Sequence, residues 1–207
     1  MSALTEVFAA IAREVVAARD ELNRLDAAAG DGDMGLTMAT AAGAVTDLLP
    51  QLDGQDVASV LKRCGGEVAR KAPSTSGTLL ATALLRAGRA AAEAPTGSTA
   101  AQLAALVNAA QVGIQERGKA VVGDKTLLDA LAPAAEALRL AATRGASVHE
   151  ALADAASAAS TGAEATRSMR PKVGRASWIA DRSVGHEDAG AHFVALILTS
   201  AAKHVPG

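Results

Sequence analysis

The chain has 207 residues, of which 53 are alanine and only three are aromatic, and its formal net charge is −2. Strands favour β-branched and aromatic residues over alanine, so this composition argues against an all-β sandwich or barrel and predicts an all-α fold. The scarcity of rings disfavours modules that stack nucleic-acid bases, and the near-neutral charge provides no general attraction to DNA or acidic membranes.

The remaining composition predicts a single cytoplasmic domain over residues 1–207. One cysteine, Cys64, cannot form an internal disulfide and is typical of a reducing cytosol. The first 16 residues carry charges at Glu6, Arg13 and Glu14, so they lack the apolar core of a signal peptide. No stretch of about 18 residues is apolar and free of charge, so we expect no membrane span.

Helical periodicity recurs between breaks rich in glycine, proline and aspartate. In the first segment Val7, Ile11 and Val15 recur every fourth residue and mark one apolar face. Pro133 falls inside the sixth segment, and proline can kink or break a helix at such a position. The predicted helices cover about 4–22, 35–49, 57–70, 78–92, a fifth from a cap at Ser98 or Thr99 to 117, 126–143, a seventh from a cap at Ser147 to 167, and 190–203.

Four of the connections are polar and rich in glycine, and the others are plain turns. The polar ones follow the first, third, fifth and seventh predicted helices and contain DGDMG, PSTSG, GKAVVGDK and RPKVGRAS with GHEDAG. Alternate connections of an up-and-down bundle lie at the same end. The sequence therefore predicts an eight-helix antiparallel up-and-down barrel or bundle with these loops together at one end.

Three carboxylates, Asp26, Asp31 and Asp33, fall within eight residues of the first polar loop, LDAAAGDGDMG. Hard oxygen ligands of this kind suit Mg²⁺, which takes a few carboxylates together with substrate phosphates. A solvated turn capped by aspartates is the alternative for this segment by itself. An EF-hand does not fit, because the loop lacks both the alternating oxygen ligands and the glutamate at its twelfth position.

The polar loops resemble the nucleotide-binding subunit of dihydroxyacetone kinases, also called the L subunit or DAK2 domain. LDAAAGDGDMG resembles L-D-x-x-x-G-D-x-D-H-G, and STSGTLLAT resembles G-A-S-G-P-L-x-G-T. RGKAVVGDKTLLDAL resembles R-G-K-A-x-x-G-D-K-T-M-x-D. GRASWIADRSVGHEDAGA resembles G-R-A-S-Y-L-G-x-R-S-x-G-H-x-D-P-G-A. The four segments occur in the family's order and span about residues 22 to 191.

The resemblance implies an eight-helix antiparallel barrel whose loops hold ADP or ATP. It also implies that Asp26, Asp31 and Asp33 coordinate two Mg²⁺ ions that clamp the nucleotide phosphates. The helix N-terminus at Met34–Thr37 suits phosphate, Gly118 and Leu127 match positions near the base, and Arg175 matches the closing loop. The implied nucleotide-binding residues are Met34, Gly35, Leu36, Thr37, Thr75, Ser76, Gly118, Leu127, Arg175, Asp188, Ala189 and Gly190.

Some residues depart from the family pattern or have a competing structural role. Met34 stands where the family usually has His, and prolines of the family are replaced by Thr78, Val122 and Ala189. No side chain is assigned as catalytic, since the transfer is metal-assisted. His186 is interpreted as structural, and an ion pair between Lys125 and Asp129 fits at least as well as a nucleotide contact. Thr75 and Ser76 also fit an N-cap.

The function that follows is phosphoryl transfer to dihydroxyacetone or a related ketose held on a separate K subunit. We favour the phosphotransferase-system type, in which bound ADP is rephosphorylated by a phosphohistidine protein, the M subunit. An ATP-dependent kinase, acting for example on a tetrulose, is the alternative. A fatty-acid-kinase-like ATP-binding domain fits less well, because Asp26 and the GRAS and GHEDAGA segments are present. A nucleotide-dependent role in binding a transcription regulator is a further alternative.

Overall fold

The computed structural model describes residues 2–93, 99–174, 177 and 180–206. Every regular element in these residues is helical, and none of their helices is both long and apolar enough to cross a membrane. The α-helices are α1 (Ala3–Ala17), α2 (Arg19–Ala27), α3 (Met34–Leu48), α4 (Val57–Lys71), α5 (Thr75–Glu93), α6 (Ala100–Gly118), α7 (Leu128–Thr143), α8 (Val148–Ala165), α9 (Ala180–Ser183) and α10 (Ala189–His204).

Eight long helices form a closed ring. Going round it, α1 packs on α3, and α3 to α8 then pack each on the next. The ring closes because α10 lies between α8 and α1. The shorter α2 packs on α3 and α10. The predicted all-α barrel is therefore confirmed for the part of the chain that is described.

The predicted helix boundaries hold within two residues, with two exceptions that concern the polar loops. The first predicted helix is interrupted at Ala18, and α2 then runs on to Ala27, so Asp26 lies in a helix and not in a loop. The fourth helix starts at Thr75, three residues early. Ser147 caps α8 as predicted, and Thr99 caps α6, each in a capping box. The alternative cap, Ser98, lies outside the described residues.

Pro133 does not break α7, which is continuous from Leu128 to Thr143. Proline has no N–H for the carbonyl one turn earlier, which here is that of Asp129. Gly162 of α8 packs against this carbonyl so closely that a Cβ there would lie 2.2 Å from the Asp129 oxygen. The proline thus sits where the neighbouring helix needs a close approach.

The core is built largely from small side chains. In α7 and α8, Ala130, Ala134, Ala141, Ala155 and Ala159 are fully buried. Short side chains leave little distance between helices, and a packed interior of this kind deforms little. The polar loops are therefore carried by closely packed helix ends.

Candidate functional site

Asp26, Asp31 and Asp33 come together at the junction of α2 and α3. Asp26 is in the last turn of α2, Asp31 is in the linker, and Asp33 immediately precedes α3. Each offers a carboxylate oxygen, and these oxygens lie within 4.8 Å of one another. The linker turns at Gly32, whose φ of +77° favours glycine. Three hard oxygen donors at this spacing fit a Mg²⁺ site in donor type and number.

Asp26 is the half-buried member of this carboxylate cluster, and it bonds the backbone that carries Asp33. Its Oδ2 accepts hydrogen bonds from the backbone amides of Asp33, at 3.0 Å, and Met34, at 3.3 Å. Burial raises the pKa of Asp26, the two amides oppose this, and the neighbouring charge of Asp31 adds to the rise. An anion held in such surroundings gains from a cation placed beside it.

Two backbone amides at the start of α3 already donate hydrogen bonds within the protein. Met34 N donates to Asp26, and Leu36 N donates to Asn23 Oδ1 at 3.1 Å. Gly35 permits this arrangement, because a Cβ there would lie 1.9 Å from the carbonyl oxygen of Arg19. A phosphate bound through the Met34 or Leu36 amide would have to displace these acceptors. Asn23 was not predicted, and only its place one turn before Asp26 could have suggested it.

The side chain of Met34 is buried and not turned to solvent. It is 8% exposed and packs with Leu22, Leu25 and Met38. Its thioether therefore packs in the hydrophobic core next to the carboxylates. The departure from the usual His changes packing at this position.

The start of α5 differs in detail from the prediction. The hydroxyl of Ser74, and not of Thr75 or Ser76, accepts a hydrogen bond from the Gly77 amide at 3.1 Å, as an N-cap does. The Ser74 and Ser76 hydroxyls are 3.2 Å apart, and Thr75 is exposed. Because Ser74 caps the helix, the hydroxyl of Thr75 is available for a ligand.

Asp129 and Lys125 organise the third polar loop, although they do not form the ion pair considered above. Asp129 accepts hydrogen bonds from the amides of Gly123, at 2.5 Å, and Thr126, at 2.7 Å. The ammonium of Lys125 instead donates to carbonyls of the fourth polar loop. That interpretation was wrong because Asp129 bonds amides of its own loop, whereas Lys125 bonds carbonyls that are distant in the chain.

Asp188 caps α10 and lies beside the third loop. Its Oδ2 accepts from the Ala191 amide at 2.8 Å. Burial raises the pKa of Asp188 to about 6, against the opposing charge of Lys125 and with a contribution from Asp129. The charge of Lys125 thus favours the ionised form of Asp188, which burial opposes.

Several predicted residues of the third and fourth loops lie together. A Cβ on Gly190 would be 3.1 Å from that of Leu127, and Ala189 is buried in the same cluster as Met34. Leu79, which was not predicted, faces Gly118: a Cβ on Gly118 would be 3.5 Å from its Cδ2. Leu79 lies one turn after Thr75, which was the available signal. Arg175 lies outside the described residues.

Similar proteins match over nearly the whole chain. The DAK2 domain family matches residues 28–203. The chain is 36% identical to the ADP-binding subunit DhaL of the PEP-dependent dihydroxyacetone kinase of Escherichia coli K12, over 88% of each chain. It is 37% identical to the D-erythrulose kinase of Mycolicibacterium smegmatis, covering 98% of this chain and 35% of that one.

The fold has solved counterparts. The crystal structure of the dihydroxyacetone kinase of C. freundii in complex with AMP-PNP and Mg²⁺ matches with a TM-score of 0.78 and 26% identity. That match covers 98% of this chain and 34% of the kinase chain. The native form of the same kinase matches with the same TM-score. From its sequence match and its barrel, the chain belongs to the DAK2 domain family.

Proposed function

We propose that the chain binds a magnesium nucleotide at the loop end of the barrel and transfers a phosphoryl group to a ketose. The observation that carries the proposal is the cluster of three carboxylates, whose oxygens lie within 4.8 Å of one another. Relatives with dihydroxyacetone kinase and erythrulose kinase activity in their names support it. The C. freundii kinase with AMP-PNP and Mg²⁺ supports the choice of nucleotide and ion.

Asp26, Asp31 and Asp33 would hold two Mg²⁺ ions, and Mg²⁺ neutralises phosphate charge and aligns the transferred group. Asp26 bonds the Asp33 amide at 3.0 Å, which keeps these two carboxylates at the same end of α3. Asp33 also lies at the N-terminus of α3, the positive end of the helix dipole, where the nucleotide phosphates would lie beside Met34–Thr37.

The rest of the nucleotide would be held by the other three polar loops. The exposed hydroxyl of Thr75, with Ser76, would contact it at the start of α5. Gly118 and Leu127 would lie near the base. Arg175 and the segment Asp188–Gly190 would close over it. No side chain of the site is required as a general base, because this transfer depends on positioning and charge neutralisation.

The proposed acceptor is a ketose on a separate K subunit. We favour rephosphorylation of bound ADP by a phosphohistidine M subunit, because a DhaL subunit of a PEP-dependent kinase matches over 88% of its length. The erythrulose kinases match at similar identity but are about three times as long as this chain. Dihydroxyacetone and erythrulose are therefore the two acceptors to compare.

Native mass spectrometry of the purified protein with Mg²⁺ tests the proposal. Retained ADP is expected for the phosphotransferase-system type, whereas an empty protein that binds ATP reversibly would favour nucleotide exchange. Asp31→Asn should lose nucleotide in either case. Asp47→Asn, on the exposed surface of α3, is the matched control and should bind as the wild type does.

Nucleotide retained by Asp31→Asn would contradict the metal assignment, and a wild type that binds neither ADP nor ATP would contradict the proposal. The acceptor is then tested by adding a ketose-binding K subunit and comparing dihydroxyacetone with erythrulose. Phosphorylation driven by a phosphohistidine protein with ADP, and not by free ATP, is expected.

A further inference from the structure

Lys125 is an unusual residue in the third polar loop. It is only 3% exposed, and its φ of +60° places it in the left-handed region, where side chains other than Asn and Asp are uncommon. A buried ammonium and a left-handed backbone each cost free energy. Their coincidence at one residue indicates that the surrounding structure depends on this side chain.

The ammonium of Lys125 is held entirely by the fourth polar loop. It donates to the carbonyl oxygens of Ser183 at 2.6 Å, His186 at 2.8 Å and Met169 at 3.3 Å. These acceptors lie 44 to 61 positions away in the chain, at both ends of the segment 169–186. An ammonium has three protons, so the three carbonyls satisfy its donors.

Lys125 also contributes charge to this region. Burial lowers the pKa of its ammonium, and the charge of Asp188 opposes that shift, with Arg167 acting in the same direction as burial. Asp188 is in turn faced by Lys125 and Asp129, and by the amides of Ala191 and Gly190. Lys125 is therefore the cation that favours an ionised carboxylate at the cap of α10.

We propose that Lys125 is a positioning residue for the nucleotide site: it holds Met169 and the segment 183–188 against the third loop and so fixes the start of α10, where Gly190 packs against Leu127. The part that concerns nucleotide rests on the proposed function. Lys125 itself does not contact the reacting groups. Its effect passes through the carbonyls of the segment and through the charge of Asp188.

Hydrogen exchange without nucleotide tests the fastening. The Gly185 amide donates to the Arg167 carbonyl at 2.8 Å, and the Asp188 amide donates to the Thr166 hydroxyl at 2.8 Å, so both report on the segment. In Lys125→Met these two amides should exchange about tenfold faster or more, while the amides of α4 keep the wild-type rate. Lys119→Met is the matched control, since Lys119 is also left-handed, with a φ of 58°, but is exposed.

The nucleotide arm measures the dissociation rate of Mg·ADP as a function of pH. In the wild type, dissociation should accelerate as the pH falls through the range in which Asp188 takes up a proton, about 6. In Lys125→Met, loss of the cation should move this midpoint to higher pH. Lys125→Arg should return the midpoint toward the wild-type value, which a role in packing alone would not do.

Lys125→Gly removes the strain of the left-handed backbone together with the ammonium. It is the variant to measure if Lys125→Met does not fold. Wild-type exchange at Gly185 and Asp188 in folded Lys125 variants would overturn the proposal, as would an unchanged pH midpoint. If the wild type itself binds no Mg·ADP, the proposed function fails, and the exchange result alone still decides whether Lys125 fastens the segment.

Discussion

The Oδ2 atom of Asp26 accepts a hydrogen bond from the backbone amide of Asp33 at 3.0 Å. One predicted metal ligand therefore fixes the backbone that carries another. An asparagine at position 26 keeps an oxygen acceptor for this bond but removes the charge. The two roles of Asp26, in structure and in metal binding, can thus be separated.

Asp26→Asn should leave the metal-free protein as stable as the wild type or slightly more stable. The raised pKa of Asp26 means that folding favours its neutral form, and stability is lost as the pH rises past the ordinary value. With Mg²⁺ and ADP, the wild type should gain about 3 kcal/mol at a hundredfold excess over Kd, and the variant should gain almost none. Thermal unfolding with and without ligand measures both. A variant with full ligand stabilisation would contradict the assignment of Asp26.

Gly35→Ala should destabilise the junction of α2 and α3. A Cβ there would lie 1.9 Å from the carbonyl oxygen of Arg19 and 2.7 Å from Oδ1 of Asn23, so the helices would have to separate. We expect a loss of about 2–4 kcal/mol in urea unfolding, together with weaker metal binding.

Gly43→Ala, in the same helix, is the control for that experiment. A Cβ on Gly43 meets nothing within 4 Å, and alanine is the better helix former. This substitution should be neutral or stabilise by up to about 1 kcal/mol. Equal changes in the free energy of unfolding for Gly35→Ala and Gly43→Ala would show that the close approach of α2 and α3 at Gly35 does not determine stability.

His192 should make the stability of the barrel depend on pH. Its Nδ1 lies 3.2 Å from Glu187 Oε1, and this hydrogen bond, with attraction to Glu187 and Glu21, raises the pKa of His192 above 6.5 despite burial and the opposing charge of Arg167. The stabilisation is complete below 6.5 and is lost as the pH rises through the higher folded-state value.

Urea unfolding of the wild type and His192→Gln across about pH 5 to pH 9 measures this dependence. The wild type should have the larger free energy of unfolding at acidic pH, and this difference should disappear toward alkaline pH. His149→Gln, at an exposed position in α8, is the control and should follow the wild type throughout. A constant difference between wild type and His192→Gln would contradict the prediction.

Cys64 should be inert to thiol reagents in the folded protein. It is fully buried, and burial raises its pKa from 9.0 to about 11 against the opposing charge of Arg63. Two pKa units reduce the thiolate population about a hundredfold, before any steric protection is counted. Absorbance after addition of a disulfide reagent at pH 8 should stay flat until urea unfolds the chain. Rapid reaction in native buffer would contradict the buried position.

Much of the fold could be predicted from the sequence, because alanine content, apolar periodicity and caps such as Ser147 all act locally. The carboxylate cluster could also be predicted, since its three members are close in the chain. Hydrogen bonds between residues that are distant in the chain could not be predicted. Lys125 was paired with Asp129 because the two are one turn apart, yet its acceptors lie 44 to 61 positions away. Ser74 was missed because α5 was predicted to begin three residues late, and Asn23 because its partner, the Leu36 amide, lies 13 positions away across the linker.

The position of α10 between α8 and α1 has a consequence for how the molecule assembles. The contact of α1 with α10 joins segments at least 172 positions apart, which is the slowest kind of contact to form. Helix hairpins such as α4–α5 and α7–α8 can pack early, whereas the ring stays open until α10 docks. Asp188 caps α10, so the docking of α10 on α7 and α8 brings Asp188 to Lys125 and Leu127, and the contact of the same helix with α1 closes the ring. One helix therefore serves both the closure of the barrel and the completion of its binding end.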